Sequence, residues 1–446
     1  MEAQRTPVDL IVSAERVVTC ASPRGPKRGA ALADGGVIVA GAVAIQAGRI
    51  VAVGPRQELA TRYEAQAHFD GGPRVLLPGF VDPHTHVCYA GDRLADFERR
   101  LAGATYQELM AAGGGIMQTV RDTRAASQAA LLDQTRVRLD RMLRHGITTV
   151  EIKTGYGLDT ASELRMLDAI TALAATHPCT IVPTFLGAHA VPAEFTRRPD
   201  AYVDLVIREM LPTVAAVWRE RRGAQPLFCD VFCEPGAFDL QQTRRMLEQA
   251  RTLGFGLKLH ADEFEALGGV SLAVELGATS ADHLVATDQR EAEALAASSV
   301  VAVALPGTPI GLGKYQHMPA RQIIAAGGAL ALATDCNPGT SVCESMPLLV
   351  ALGCRFLRLQ PQEAISAATI NGAHAVGLGA EVGSIEPGKL ADLVLLDLAD
   401  ERQLAYHFGF NPVARVWKRG QLVVDNTLPA LIPLTSLGDG DGFAGS

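Results

Sequence analysis

An α/β chain is predicted here, built as a (β/α)8 TIM barrel with a small β-sandwich domain made from both chain ends. Three observations predict it. Between Leu77 and Gly379, short apolar runs alternate with amphipathic stretches, the pattern of parallel βα units. Eight such units across roughly 300 residues match the size of a (β/α)8 barrel. The flanks change style, to β-branched runs and Gly-rich turns with little helical period.

Taken in order, residues 1–76 carry strand-like runs at 9–19 and 36–53 and are expected to form the N-terminal part of the sandwich. The barrel is expected over 77–380, with strands at 79–84, 148–153, 181–186, 228–234, 256–260, 280–283, 300–305 and 330–335. The connection after the first strand is long, from about Gly91 to Gly146, and carries Gly113-Gly-Gly115, a pliable point of the kind that lines sites. Residues 381–428 return to the β style at 391–397 and 412–420 and complete the sandwich, so the barrel is inserted between its halves. Residues 429–446, rich in Gly and Asp, read as a loose tail.

The 446 residues are 48% hydrophobic and 20% charged, the balance of a soluble globular enzyme. No apolar run reaches the roughly 18 residues that span a bilayer, and MEAQRTPVDL lacks the basic and apolar regions of an export signal. A net charge of −8 without a basic block argues against nucleic acid as partner. The eight cysteines are scattered without a disulfide framework, which points to a reducing cytoplasm. Cys229 and Cys233, four apart on one strand, read as buried thiols.

The chemistry concentrates at strand ends. In Pro78-Gly-Phe-Val-Asp-Pro-His-Thr-His86 a period of two puts His84 and His86 on one side and Thr85 on the other. His260 ends the fifth strand, His283 the sixth and Asp335 the eighth. In a (β/α)8 barrel those ends converge on the active face. Imidazoles and a carboxylate so gathered are suitable ligands for zinc or ferrous iron. They are spread over some 250 residues, unlike the local cysteine cluster of a structural zinc site. Asp335 follows an apolar strand, where a cation would supply the partner a buried carboxylate needs. Glu263, three residues past His260, could move protons or bind a substrate N–H; as a helix-start acid it would instead face backbone amides.

These residues sit in longer motifs: Asp82-Pro-His-Thr-His86, Ala90-Gly-Asp-Arg93, Ala112-Gly-Gly-Gly-Ile116, Glu151-Ile-Lys-Thr-Gly-Tyr-Gly-Leu158 and Thr184-Phe-Leu-Gly-Ala-His189. His260-Ala-Asp-Glu-Phe264, Ala281-Asp-His283, Asp335-Cys-Asn-Pro-Gly-Thr340 and Tyr406-His-Phe-Gly409 follow. Through them the chain, over about residues 8–424, resembles the imidazolonepropionase family of the amidohydrolase superfamily. The resemblance implies one Zn2+ or Fe per chain on His84, His86, His260 and Asp335. It also implies substrate contacts from Arg93, Tyr156, His189, Glu263, Asn337, Gly339 and Thr340. Some superfamily members bridge two metals with a carboxylated lysine; Lys153 ends the second strand and the fourth ends in Cys233-Glu234, so one metal is expected. The Gly-rich stretch from Pro306 to His317 departs from the family pattern.

The activity so implied is hydrolysis of the ring amide of 4-imidazolone-5-propanoate to N-formimidoyl-L-glutamate, in histidine degradation. Glu263, His283 and Asp335 would be catalytic, with His283 polarising the carbonyl. The substrate is a small anionic heterocycle, and Arg93 offers its carboxylate a planar two-point partner; otherwise Arg93 would form a surface ion pair with Asp92 or Asp96. A deaminase or cyclic amidase acting on another heterocycle would share the metal site but not the Arg93, Tyr156 and His189 set. A metal-free scaffold protein would have lost ligands, and all are present. A cytoplasmic homodimer touching neither membrane nor nucleic acid is expected.

Overall fold

The computed structural model describes residues 5–104, 108, 113–221 and 225–427. The tail at 429–446 and Ala112 lie outside the described residues. The N-terminal strands are β1 (Thr6–Val18), β2 (Val37–Gln46), β3 (Arg49–Pro55), β4 (Tyr63–Asp70) and β5 (Val75–Pro78). β1 is long enough to pair with three of them, antiparallel with β2 and parallel with β4 and β5.

The barrel follows as β6 (Phe80–Asp82), β7 (Ile147–Lys153), β8 (Thr180–Ala188), β9 (Phe228–Cys233), β10 (Gly256–Ala261), β11 (Ser280–His283), β12 (Val301–Ala304) and β13 (Ala329–Leu332). The chain then returns to the first sheet. β14 (Leu393–Leu396) pairs antiparallel with β5, and β15 (Val413–Lys418) and β16 (Gln421–Asp425) extend it. Val12, Val17, Ile45, Leu76, Leu393 and Trp417 share one core, so residues from both chain ends bury each other. Lys418 fastens this sheet to the barrel: its Nζ donates to the Thr148 carbonyl at 3.0 Å and to Asp392.

All neighbouring barrel strands are parallel, in the order β6 to β13. Helices cover the outside, which is why every residue of β7 is buried although it reads Ile-Thr-Thr-Val-Glu-Ile-Lys. β6 stops at Asp82, two residues short of the expected end, because Pro83 has no N–H to continue the ladder. β13 likewise stops at Leu332. The barrel closes through the segments beyond. Thr334 donates from N and Oγ1 to Asp82 at 3.1 and 2.6 Å, Asp335 N donates to the His84 carbonyl at 3.1 Å, and His86 N to the Cys336 carbonyl at 3.0 Å. The closing seam therefore carries His84, His86 and Asp335.

Candidate metal centre and active site

At the seam, Thr85 makes a lone bridge to Cys336, which preserves the alternation that puts His84 and His86 on one side. Their Nε2 atoms stand 3.2 Å apart, and His86 Nε2 is 3.3 Å from His260 Nε2. Asp335 Oδ1 lies 3.6 Å from His84 Nε2 and 3.5 Å from His86 Nε2. Four atoms each about 2.0–2.1 Å from a common ion stand about 3.3 Å apart in a tetrahedron. The spacings of His84, His86 and Asp335 therefore fit one metal ion, and His260 Nε2 joins the group through His86 Nε2. Burial pushes His84 and His86 well below the ordinary imidazole value, so they are neutral, the form that binds metal. Burial also pushes the Asp335 carboxyl up to about 6, a cost that a cation would remove. Asp335 has φ of 50° and His283 of 78°, a left-handed backbone that turns both side chains at the strand ends.

Behind the imidazoles stands a layer of buried charge that sequence reasoning missed. His84 Nδ1 is 2.6 Å from Asp282 Oδ2. His260 Nδ1 is 2.9 Å from Asp230 Oδ2, although the angle leaves neither atom with an aligned hydrogen bond. Lys153 Nζ lies 2.7 Å from Glu151, 2.8 Å from Asp230 and 3.9 Å from Asp282, all wholly buried. The signal was present, since Asp230 and Asp282 are charges inside apolar strands. On β9 the reading followed Cys229 and Cys233 instead, and both are buried free thiols.

His283 joins this group, with His84, His260 and His283 nitrogens mutually within 4.8 Å. Its Nε2 faces Glu263 Oε2 at 3.7 Å. Glu263 caps no helix, since the next begins at Gly269; Glu234 holds its loop by accepting from the amides of Glu263, Phe264 and Glu265. Burial, then Asp335 and Glu234, push Glu263 well above the carboxylate range.

The remaining expected residues gather around this point. His189 stacks on His86 with centroids 4.8 Å apart, and Tyr156 lies 5.2 Å from His189. His189 Nδ1 is 3.0 Å from the Gly155 carbonyl and so carries the proton; burial pushes its pKa down to about 3, which leaves Nε2 as an acceptor. Arg93 Nε pairs with Asp96 at 3.0 Å, yet the pair is interior, with side chains 12% and 7% exposed. A Cβ on Gly339 would lie 2.6 Å from Arg93 Nη1, so glycine is what admits the guanidinium. Asn337 Oδ1 accepts from Gly339 N and Thr340 N, both at 2.8 Å, and ties that turn together. The Gly-rich stretch after β12 meets this turn directly. Thr308 donates to Asp335 at 2.5 Å, and a Cβ on Gly311 would land on the Thr340 carbonyl.

The amidohydrolase family profile matches residues 75–423, and an imidazolonepropionase-like composite domain of bacteria matches 41–63. A Herpetosiphon aurantiacus relative named imidazolonepropionase is 58% identical over 94% of this chain and 98% of its own. One of the same name from Chloroflexus aggregans is 52% identical over 94% and 99%. Among solved structures, an adenosine deaminase from Xanthomonas campestris with bound zinc aligns with a TM-score of 0.66 at 23% identity, covering 96% of each chain. E. coli guanine deaminase aligns at 0.70 and 16%, covering 93% of this chain and 98% of that one. Those two likenesses are of fold alone. With identity above one half along nearly its whole length, and its paired histidines and distant aspartate meeting at one point, the chain belongs to the imidazolonepropionase family of amidohydrolases.

Proposed function

We propose that this chain hydrolyses the ring amide C–N bond of 4-imidazolone-5-propanoate to N-formimidoyl-L-glutamate, in histidine degradation. The observation that carries this reading is the interior Arg93 guanidinium against Gly339, with His84, His86 and Asp335 gathered within 4.8 Å of one another. A cation there suits a substrate with a carboxylate arm, and the family's name supports the same substrate. One zinc or ferrous ion would be held by His84, His86, His260 and Asp335, and when bound would supply Lewis acidity and a hydroxide accessible at neutral pH.

The chain's own groups do the rest. Arg93 binds the propionate, Asn337, Gly339 and Thr340 shape the turn beneath it, and Tyr156 and His189 hold the ring, His189 Nε2 accepting from a ring N–H. His283 polarises the ring carbonyl. The attacking water's proton goes to Asp335 or Glu263, the carboxyls that burial raises, and passes from there to the leaving ring nitrogen.

A cytoplasmic setting is supported by the eight free cysteines, and no helix among the described residues is long and apolar enough to cross a membrane. A homodimer is supported by the exposed apolar side chains Tyr406, Phe408 and Phe410. The decisive experiment follows imidazolone absorbance with purified, metal-analysed protein. Loss of the substrate with about one metal per chain is expected. Protein that ignores the substrate yet deaminates a neutral purine or pyrimidine, or that holds two metals per chain, overturns the reading.

A further inference from the structure

Lys153 lies in one of the sequence motifs, yet it neither touches the cradle nor has a part in the proposed chemistry. It is wholly buried and belongs to a layer one shell behind the ligands. Three carboxylates surround its Nζ: Glu151 at 2.7 Å, Asp230 at 2.8 Å and Asp282 at 3.9 Å. Each leads to a different part of the cradle. Asp282 reaches His84 Nδ1 at 2.6 Å. Asp230 is 2.9 Å from His260 Nδ1 and also accepts from the His260 amide at 3.1 Å. Glu151 accepts from the amide of Thr85, between His84 and His86, at 3.1 Å, and its carbonyl accepts from Thr85 Oγ1 at 2.6 Å.

We propose that Lys153 is the positioning residue of the metal centre, one ammonium that holds the three carboxylates orienting His84, the His84–His86 segment and His260. The inference rests on the reading that these histidines hold a metal. Partners behind metal-ligating histidines fix ring orientation and tautomer, and losing one typically costs 10–100-fold in metal affinity. A carboxylate shared by a ligand histidine and a buried lysine cannot turn away from the histidine without giving up part of its contact with the lysine. An ammonium shared among three carboxylates thus couples ligands contributed by strands far apart in sequence. His84, Thr85 and His260 thus share one charge through their carboxylates, with Lys258 standing at the same 3.9 Å from Asp282. Lys258, the other buried lysine nearby, differs: its Nζ donates to Ser280 Oγ at 2.8 Å and the Ala375 carbonyl at 3.0 Å, and reaches only Asp282, at 3.9 Å.

The test uses the full chain with cobalt(II) replacing the native metal, because its visible spectrum reports ligand geometry. Lys153→Met combined with Glu151→Gln removes the ammonium and one carboxylate charge together while leaving an oxygen to accept from Thr85. Metal release to a chelator about 10–100-fold faster than from the unaltered chain, with a shifted cobalt spectrum and unchanged far-ultraviolet circular dichroism, is expected. A merely structural lysine would leave the release rate and spectrum of the folded protein untouched, and that result overturns the proposal. Where the pair does not fold, Lys153→Arg is the second arm. It keeps the charge in a planar fork that cannot reproduce the three contacts, so faster release and a shifted spectrum are again expected, and wild-type behaviour again overturns. If the unaltered chain takes up no cobalt, the metal-site reading itself fails; uptake with indifferent variants removes only the role of Lys153.

Discussion

Arg93 carries its charge in an interior pair, with Asp96 on Nε and Gly339 beside Nη1, so its remaining N–H groups are already oriented before a ligand arrives. Removing one member of a desolvated charge pair costs about 2–5 kcal/mol, roughly 30- to several-thousand-fold in kcat/KM. Arg93→Ala should lose activity on that scale with metal content unchanged by elemental analysis, and Arg93→Lys should recover only part. His283 separates metal binding from catalysis. His283→Asn should keep most of the metal and lower kcat roughly 10²-fold or more, while His260→Asn loses both. Metal analysis beside turnover would refute these roles if His283→Asn emptied the site. The clustered histidines and Asp335 were legible because polar residues at the ends of apolar strands are conspicuous. Asp230, Asp282 and Glu151 were not. A charge inside a strand says that it has a partner without saying which, and Lys153 lies far from two of those partners in sequence.

At the scale of elements, each of the eight barrel strands lies where alternating apolar and helical sequence places it, and the discrepancies sit at the site. β6 ends early at Pro83, and the left-handed turn at Asp335 comes three residues after β13 closes. Both depend on backbone partners in the opposite segment of the seam, which no local pattern records. The Gly-rich stretch after β12 was likewise opaque until the turn at 337–340 was placed against it. The helix Gly307–Gly311 approaches Thr340 so closely that no side chain fits at Gly311. Gly311→Ala must push this helix away from the turn and so loosen Thr308 from Asp335. It should lower kcat/KM at least 10-fold, a margin set by the sensitivity of catalysis to displacements near 1 Å. Gly313→Ala is the control. It has φ of 69° with open space around the new Cβ, so it should cost about 1 kcal/mol of stability and little activity. Equal effects of the two on kcat/KM, measured with the melting temperature, would remove the argument from close approach.

For the whole molecule, proton linkage ties stability to pH through groups remote from the metal. His374, on the helix Ile370–Ala375 beside the barrel, is pushed down to about 4 by burial, with the Lys389 ammonium adding to it. In the unfolded chain an imidazole titrates near 6.5. Between those two values the unfolded state binds the extra proton, so this contribution is present above about pH 6.5 and is lost as pH falls towards 4. The shift sets a ceiling of about 3.4 kcal/mol, and partial solvent contact reduces it to roughly 2. Glu291 works in the opposite sense, since burial followed by Asp262 raises it to about 7 and it favours folding as pH drops. The total curve therefore mixes signs, and only a difference isolates the imidazole. His374→Gln keeps a polar side chain without a charge to gain. Denaturant unfolding of the metal-saturated protein at pH 7.5 and 4.5 should show wild type losing about 2 kcal/mol more than this variant across the interval. Parallel losses would mean that His374 takes up its proton as readily in the folded chain as in the unfolded one.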